Sequence, residues 1–213
     1  MTTLDEEPGR GAGRGTRLPR QARRKQLLGA AQEVFVAQGY HAAAMDDIAE
    51  RAGVSKPVLY QHFPGKLELY LALLDQHADR LVEAVREALQ STTDNRSRVE
   101  ASITAYFDFV DGDGTGEGAF RLVFESDLMS EPAVRQRVDR MTQDCVQAIA
   151  ATIAHDTGFR EEEAVLLSVG LSGIAEVGAR WWLAGEGRLS KERAVELMVG
   201  LAWRGISGAP LHS

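Results

Sequence analysis

The chain has 213 residues, enough for one large domain or for a small and a medium-sized domain with real hydrophobic cores. Hydrophobic residues make up 44% and charged residues 26%, a balance that is typical of globular proteins and excludes a largely disordered chain. The sequence contains no run of about 18 apolar residues and no apolar signal segment, and its single cysteine, Cys145, excludes an internal disulfide. We therefore expect a cytoplasmic protein without a membrane segment.

Charge is distributed unevenly along the chain. Although the net charge is −7, residues 10–66 contain ten Lys or Arg and only four acids, a local charge of +6, which leaves −13 for the rest. Such asymmetry indicates an anionic partner for the basic part and argues against indiscriminate coating of nucleic acid.

The first 20 residues are rich in glycine and arginine and lack hydrophobic periodicity, which indicates a flexible basic arm. This arm is either a solubilising tail or a source of minor-groove contacts by Arg17, Arg20, Arg23 and Arg24. From Gln21 onward, apolar residues recur at helical spacing and predict a first helix that ends at Gly39.

Two short helices follow. Asp46 and Asp47 suit the first turn of a second helix, because acids favour the positive end of the helix dipole. Gly53 stands where the chain needs a left-handed residue, Ser55 is a good N-cap, and Pro57 fits the first turn of a third helix. Two short helices joined by a glycine-containing turn predict a helix-turn-helix.

The third helix has an unusual outer face. Leu59 and Phe63 lie four residues apart and are predicted to face the core, which turns Val58, Gln61 and His62 outward and leaves Tyr60 at the margin. A polar and aromatic outer face of this kind is typical of a helix that enters the DNA major groove.

The remainder of the sequence predicts helices only. A helix of about 25 residues begins at Lys66 and is a candidate connector between the two parts. Further helices are predicted at residues 96–110, 118–124, 131–155, 161–184 and 190–206. The last two carry more apolar surface than one internal face needs, which predicts that a second subunit covers part of it. The fold class is therefore all-α.

Residues 24–69 resemble the DNA-binding domain of TetR-family (tetracycline-repressor-like) transcriptional regulators. The resemblance is carried by AA..VF...GY, by DDIAERAGVS, by the LY.HF of the third helix, and by the lysine that opens the next helix. It implies a disordered arm (1–20), a three-helix helix-turn-helix domain (21–66) and a helical effector-binding and dimerisation domain (67–213). It also implies a homodimer, usually a repressor, that binds a pseudo-palindromic operator and releases it when a small molecule binds.

The resemblance assigns roles to eight residues. It implies that Tyr60, His62 and Lys66 contact phosphates and that the other five face the groove; these are Ser55, Lys56, Pro57, Val58 and Gln61. By their chemistry, Lys56 can donate to guanine, Gln61 can pair with adenine, and the two apolar residues can touch thymine methyls. The chain departs from the family at Ala42, Ala43 and Ala44, where a Ser or Thr usually caps the second helix.

Two further patterns have competing interpretations. Residues 111–122, DGDGTGEGAFRL, resemble a calcium loop, but Leu122 replaces the required bidentate glutamate, so we expect a helix-to-helix loop and no metal site. A predominantly apolar effector pocket, which favours a lipophilic ligand, is predicted from residues that are also good core candidates; these are Phe107, Phe120, Phe124, Met141 and Cys145.

Two other classes of function were weighed against a DNA-binding regulator. A helical enzyme is disfavoured, because the sequence lacks a nucleophile with a partnered base, a phosphate-binding glycine loop and a metal-spaced residue set, and we expect no cofactor. The alternative that stays open is a helical dimeric interaction protein with little DNA specificity.

Overall fold

The computed structural model describes residues 18–111, 127–185 and 189–205. These parts contain helices and no strand, which confirms the all-α fold class. The α-helices of the described residues are α1 (Arg20–Ala42), α2 (Met45–Arg51), α3 (Lys56–His62), α4 (Lys66–Gln90), α5 (Asn95–Asp111), α6 (Pro132–Thr157), α7 (Glu161–Ala184) and α8 (Lys191–Arg204). A short 3-10 turn, Asp127–Ser130, precedes α6. The predicted helix at 118–124, with Phe120 and Phe124, and all but the first residue of the loop 111–122 lie outside the described residues.

Helix α1 begins one residue earlier than predicted and is interrupted at its predicted end. Gly39 has φ 76° and ψ 162°, so the regular helix stops there, and a last short turn continues to Ala42. The predicted absence of a side-chain cap on α2 is confirmed, since Ala44 occupies the N-cap position. The carboxylate of Asp47 accepts a hydrogen bond from the Ala44 amide instead, at 3.4 Å.

The buried side chains of α1 to α3 belong to a hydrophobic core that continues into α4 and the later helices. Leu27, Ala31, Ile48 and Leu59 are completely buried, and Phe63 is 2% exposed. The predicted inward face of α3 is thereby confirmed. Packing of α2 and α3 against α1 fixes the direction in which the outer face of α3 points.

Helix α4 joins the two parts of the molecule. Its 25 residues match the predicted length, and its buried stripe includes Leu69, Leu73, Leu81 and Val85. It packs against α1 near its start and against α5 and α6 along the rest. An ion pair of 2.9 Å between Arg137 and Asp75 also connects α6 to α4. A shift of α6 or α5 would therefore move α4.

Helices α7 and α8 leave a broad apolar surface uncovered. On α7, Leu166 is 72% exposed, and Val177 and Trp181 are each 63% exposed. Among the described helices, only α7 is long and apolar enough to cross a membrane by length and composition. In its most apolar stretch of 18 residues, 28% is buried. Helices of soluble proteins that pack in a core or at an interface also reach this level.

Candidate DNA interface and effector cavity

The turn between α2 and α3 is fixed by glycine and by backbone hydrogen bonds. Gly53 adopts φ 63°, the left-handed conformation that was predicted for it. The Val54 amide donates to the Ala49 carbonyl at 3.0 Å. From α1, the Gln26 side-chain amide donates to the Ala52 carbonyl at 2.7 Å. The turn is thus held from inside and from the neighbouring helix, so the angle between α2 and α3 is well defined.

The outer face of α3 is accessible, as predicted for Gln61, but the predicted places of Tyr60, Val58 and His62 were wrong. Tyr60 is 47% exposed and Gln61 is exposed, whereas Val58 and His62 are half-buried. Ser55 occupies the N-cap position, but its side chain makes no capping hydrogen bond. An exposed N-cap hydroxyl of this kind remains free to donate to a phosphate or a base edge.

Lys56 is held by an acidic neighbour on α2. Its ammonium group forms an ion pair with the Asp46 carboxylate, and this hydrogen bond raises the pKa of Lys56 above its usual value. Both side chains are more than half exposed. Two further N–H donors of the ammonium group remain for a base, and guanine offers two acceptors in the major groove.

Three arginines at the start of α1 extend this surface. Arg20 and Arg23 line a shallow cleft together with Val58, Gln61 and His62. The Arg24 guanidinium lies 4.4 Å from the centre of the Phe63 ring, in a cation–π arrangement. Sequence periodicity did not predict that these arginines stand beside the recognition face, because their position depends on the packing of α1 against α3.

His62 is electrostatically coupled to the same arginines. Partial burial is the first cause that lowers its pKa, and the nearby charges of Arg20, Arg24 and Arg23 lower it further. A neutral imidazole can donate one ring N–H to a phosphate oxygen, so this state is compatible with the contact that the family resemblance implies.

Lys66 is bound to the protein itself. Its ammonium group donates to the carbonyl oxygens of Tyr40 at 2.8 Å, His41 at 3.2 Å and Ala43 at 2.8 Å. It also lies 4.5 Å from the centre of the Tyr40 ring. All three N–H donors are used in this way, so a phosphate contact would require one of these bonds to be exchanged.

A mainly apolar cavity of about 380 Å³ lies among α5, α6, α7 and α8. This volume falls within the usual range for small-molecule sites. Aliphatic and aromatic side chains form most of its wall, among them Leu89, Val99, Ile103, Tyr106, Ile149, Ile153, Leu171, Ala175, Ala202 and Trp203. A larger groove of about 870 Å³ between α4 and α5 is more open and more polar, so it is a poorer match for a lipophilic ligand.

One side of the cavity is polar. Arg98 forms an ion pair with Asp156, and both side chains are less than one-fifth exposed. Arg98 also donates through Nε to the Thr92 carbonyl at 2.7 Å. The pKa of Asp156 lies below its usual value because His155 donates a hydrogen bond to it and because Arg98 is close. Arg98 and Asp156 are 58 residues apart, and no sequence pattern connected them.

Three of the predicted pocket residues lie in the hydrophobic core. Phe107 and Cys145 are completely buried, and Met141 is 3% exposed, all in the main core. None of these three lines the cavity, and the other two predicted residues lie outside the described part of the chain. Cys145 does not line the cavity itself, but it forms a hydrogen bond with Tyr106, which does. The i, i+4 series Arg98, Ser102, Tyr106 was the available sequence signal for the cavity wall.

Comparisons with known proteins agree with the helix-turn-helix geometry. The family profile described as "Bacterial regulatory proteins, tetR family" matches residues 27–73. The HTH-type transcriptional activator FasR of Mycolicibacterium smegmatis is 51% identical over 207 residues, which cover 97% of this chain and 93% of that protein. The HTH-type transcriptional repressor KstR2 of Rhodococcus jostii is 33% identical over 92 residues, covering 43% of this chain and 45% of that one.

Solved structures extend the likeness to the whole fold. A TetR-like transcriptional regulator from Rhodococcus sp. RHA1 has a TM-score of 0.69 and 30% identity, covering 91% of this chain and 100% of that one. FadR from Bacillus subtilis, solved in complex with stearoyl-CoA, has a TM-score of 0.71 and 18% identity, covering 85% and 98%. The chain therefore belongs to the TetR family and is a DNA-binding transcriptional regulator rather than an enzyme.

Proposed function

We propose that the protein binds a pseudo-palindromic operator as a homodimer and releases it when a fatty acyl effector enters the cavity among α5 to α8. The observation that carries this proposal is the outer face of α3, where Lys56, Tyr60 and Gln61 are exposed on a helix that follows a rigidly held turn. The proposed division of the chain is that of the sequence analysis, with α4 connecting the DNA-binding and effector-binding parts. Its place of action is the cytoplasm, where its DNA is found.

The dimer is supported by the uncovered apolar surface of α7 and α8. The exposed apolar patch that contains Leu166, Val177 and Trp181 differs from the single, scattered apolar residues that are normal on the surface of a monomer. A closed dimer with twofold symmetry would cover the same patch on both subunits. Two recognition helices in one dimer then read two half-sites about one helical turn of DNA apart, roughly 34 Å.

The effector class is supported by the shape and composition of the cavity. Its wall is mostly apolar, and a partly buried arginine, Arg98, stands at its polar side. A long apolar chain with an anionic head suits this combination. The fold accommodates a ligand of this class, since FadR from Bacillus subtilis was solved with stearoyl-CoA.

The direction of regulation depends on where the operator lies relative to the promoter. Repression is the usual outcome in the family, but the relative that is similar over 97% of the chain is named an activator. We therefore propose activation at the target promoter, with effector binding ending it. A promoter–reporter fusion with and without the regulator gene distinguishes the two outcomes, since activation predicts that expression falls when the gene is removed.

The DNA-binding proposal is tested with the double variant Lys56→Ala/Tyr60→Phe. Both substitutions remove polar contacts from the exposed face of α3 and leave the buried Leu59 and Phe63 untouched. We expect operator affinity to fall at least about 30-fold, since each lost base or phosphate contact contributes about 1 to 3 kcal/mol, while the dimer persists in sedimentation. An unchanged operator affinity would favour the interaction protein with little DNA specificity.

The effector proposal is tested by fluorescence anisotropy of a labelled operator duplex bound by the full chain. Dodecanoyl-CoA is the probe, and coenzyme A is the control. We expect dodecanoyl-CoA to weaken operator binding roughly 5- to 150-fold, the usual range of allosteric coupling, and coenzyme A to have no effect. Equal operator affinity at saturating dodecanoyl-CoA would count against a fatty acyl effector.

A further inference from the structure

Two serine hydroxyls in the cavity wall are buried and have free hydrogen-bonding capacity. Ser102 on α5 and Ser172 on α7 both line the cavity and are 8% and 3% exposed. Within the described parts of the chain, the Ser102 hydroxyl has no hydrogen-bond partner, and the Ser172 hydroxyl has none besides the Tyr106 phenol. Ser168, one turn earlier on α7, instead donates to the Ala164 carbonyl at 2.7 Å, the usual arrangement for a helical serine. Ser102 and Ser172 therefore hold unused hydrogen-bonding capacity beside the cavity.

A third hydroxyl, that of Tyr106, lies in the same wall. Its own partner is the Cys145 thiol, and burial is the main cause that raises the pKa of the Tyr106 phenol. The Ser172 hydroxyl donates a hydrogen bond to the phenol oxygen, which opposes this rise. Oxygen atoms from α5 and α7 are thus gathered at one place in a wall that is otherwise mostly apolar.

This group of hydroxyls lies along α5 from the polar side of the cavity. Arg98, Ser102 and Tyr106 follow one another at intervals of four residues on α5, and each interval advances about 6 Å along a helix. Ser102 is therefore about one helical turn from the Arg98–Asp156 pair. A ligand whose anionic head is near Arg98 would pass Ser102 with its chain.

We propose that the cavity selects a fatty chain that carries a hydroxyl group, with Ser102 and Ser172 as its hydrogen-bond partners. This inference rests on the proposed function, because it takes a fatty acyl effector as its starting point. A hydroxyl group both donates and accepts, so one ligand hydroxyl satisfies one serine as donor and the other as acceptor. A plain hydrocarbon chain leaves Ser102 unpaired and the remaining hydrogen-bonding capacity of Ser172 unused, and sites built with polar groups discriminate against such analogues.

The size of the cavity suggests the length of the test ligand. Its volume of about 380 Å³ corresponds to about a dozen times the 30 Å³ that a water molecule occupies in the liquid, and a methylene group is of similar size. Dodecanoyl-CoA and its positional hydroxy isomers are therefore suitable probes.

The experiment measures the Kd of the full-length protein for each thioester by isothermal titration calorimetry. We expect at least one hydroxydodecanoyl-CoA isomer to bind about tenfold more tightly than dodecanoyl-CoA. In Ser102→Ala/Ser172→Ala this preference should disappear, because the isomer loses its partners, while dodecanoyl-CoA binds as well as before or better. Ser168→Ala is the matched control, since it removes a hydroxyl from the same helix that bonds to the backbone and does not line the cavity.

The outcomes separate this inference from the proposed effector. If dodecanoyl-CoA binds as tightly as every hydroxy isomer and the double variant changes nothing, selection for a hydroxyl is overturned and the fatty acyl effector stands. If none of the thioesters binds to a folded protein, the fatty acyl effector is overturned, and hydroxyl selection falls with it.

Discussion

Lys66 holds the start of α4 against the link between α1 and α2. Its ammonium group donates to three backbone carbonyl oxygens, those of Tyr40, His41 and Ala43, and faces the Tyr40 ring. These carbonyls lie where the helical pattern of α1 has ended, so they have few other partners. The residue thereby ties the connector helix to the position of the helix-turn-helix.

The variant Lys66→Met removes the charge and keeps most of the side-chain length. We expect the free energy of unfolding to fall by roughly 1 to 3 kcal/mol, because partly buried carbonyls lose a charged donor. Urea unfolding at neutral pH measures this change. Lys25→Met, at an exposed position on α1, is the control and should change little. A variant that unfolds like the wild type but binds DNA weakly would assign Lys66 to phosphate contact alone.

His77 gives the protein a predicted acid sensitivity. It is 1% exposed on α4, and neither ring nitrogen has a hydrogen-bond partner among the described residues. Burial, followed by the nearby Arg80, lowers its pKa to about 4. Between pH 6.5 and 4 the unfolded chain binds a proton here and the folded chain does not, so stability falls as the pH falls through this window.

The variant His77→Leu tests this coupling, since leucine is of similar size and does not titrate. Chemical denaturation between pH 7 and 4 should show that the wild type loses roughly 3 kcal/mol more than the variant, the value that corresponds to a pKa shift of this size. Carboxylates contribute equally to both proteins. Parallel stability curves for the two would mean that the imidazole has the same pKa in the folded and unfolded states.

The turn between α2 and α3 depends on the backbone conformation of Gly53. Its φ of 63° is unfavourable for residues with a Cβ atom, even though no neighbouring atom lies within 4 Å of the Cβ position. Gly53→Ala should therefore lower stability by about 1 kcal/mol through the backbone alone. Because the turn sets the direction of α3, operator affinity should fall as well.

Gly29 provides a matched control, because its substitution by alanine should change stability in the opposite direction. It lies inside α1, and a Cβ atom there would also meet nothing within 4 Å. Gly29→Ala should raise stability by about 0.5 to 1 kcal/mol, since alanine is the better helix former. Thermal unfolding of the two variants decides the matter, and a stabilised Gly53→Ala would contradict the left-handed turn.

Local signals were sufficient to predict most of the helical elements. Gly39 and Gly53 marked chain reversals, and the apolar stripe from Leu69 to Leu89 predicted the length of α4, because each signal acts within a few residues along the chain. The N-cap hydrogen bond of Ser55 was wrong, since its side chain makes none, and several predicted helix ends were off by one or two residues.

The effector cavity was less accessible to sequence analysis. Phe107 and Met141 were predicted for a pocket, but hydrophobic periodicity does not distinguish the residues that fill a core from those that surround a void. The cavity brings together side chains from five helices, and its polar side pairs Arg98 with Asp156 across a long stretch of chain. Such pairings depend on how helices pack together and not on the spacing within one helix.

Viewed as a whole, the molecule needs a partner for α7 and α8. Val177 is 63% exposed in the middle of the apolar surface, so Val177→Arg should place two like charges in a twofold interface. We expect a shift from dimer to monomer in sedimentation velocity, and a loss of operator affinity of at least tenfold because one recognition helix then binds alone. Gln143→Arg, at an exposed position on α6, is the control, and a Val177→Arg dimer would rule out this interface.

The central claim is that the exposed face of α3 reads a specific DNA sequence in a dimer. Selection of duplexes from a random pool with the full-length protein tests it most directly. The account predicts enrichment of a palindrome whose half-sites lie one helical turn apart, bound less tightly at higher salt and lost in Lys56→Ala. A well-folded dimer that enriches no sequence, or an enrichment that Lys56→Ala leaves unchanged, would contradict it.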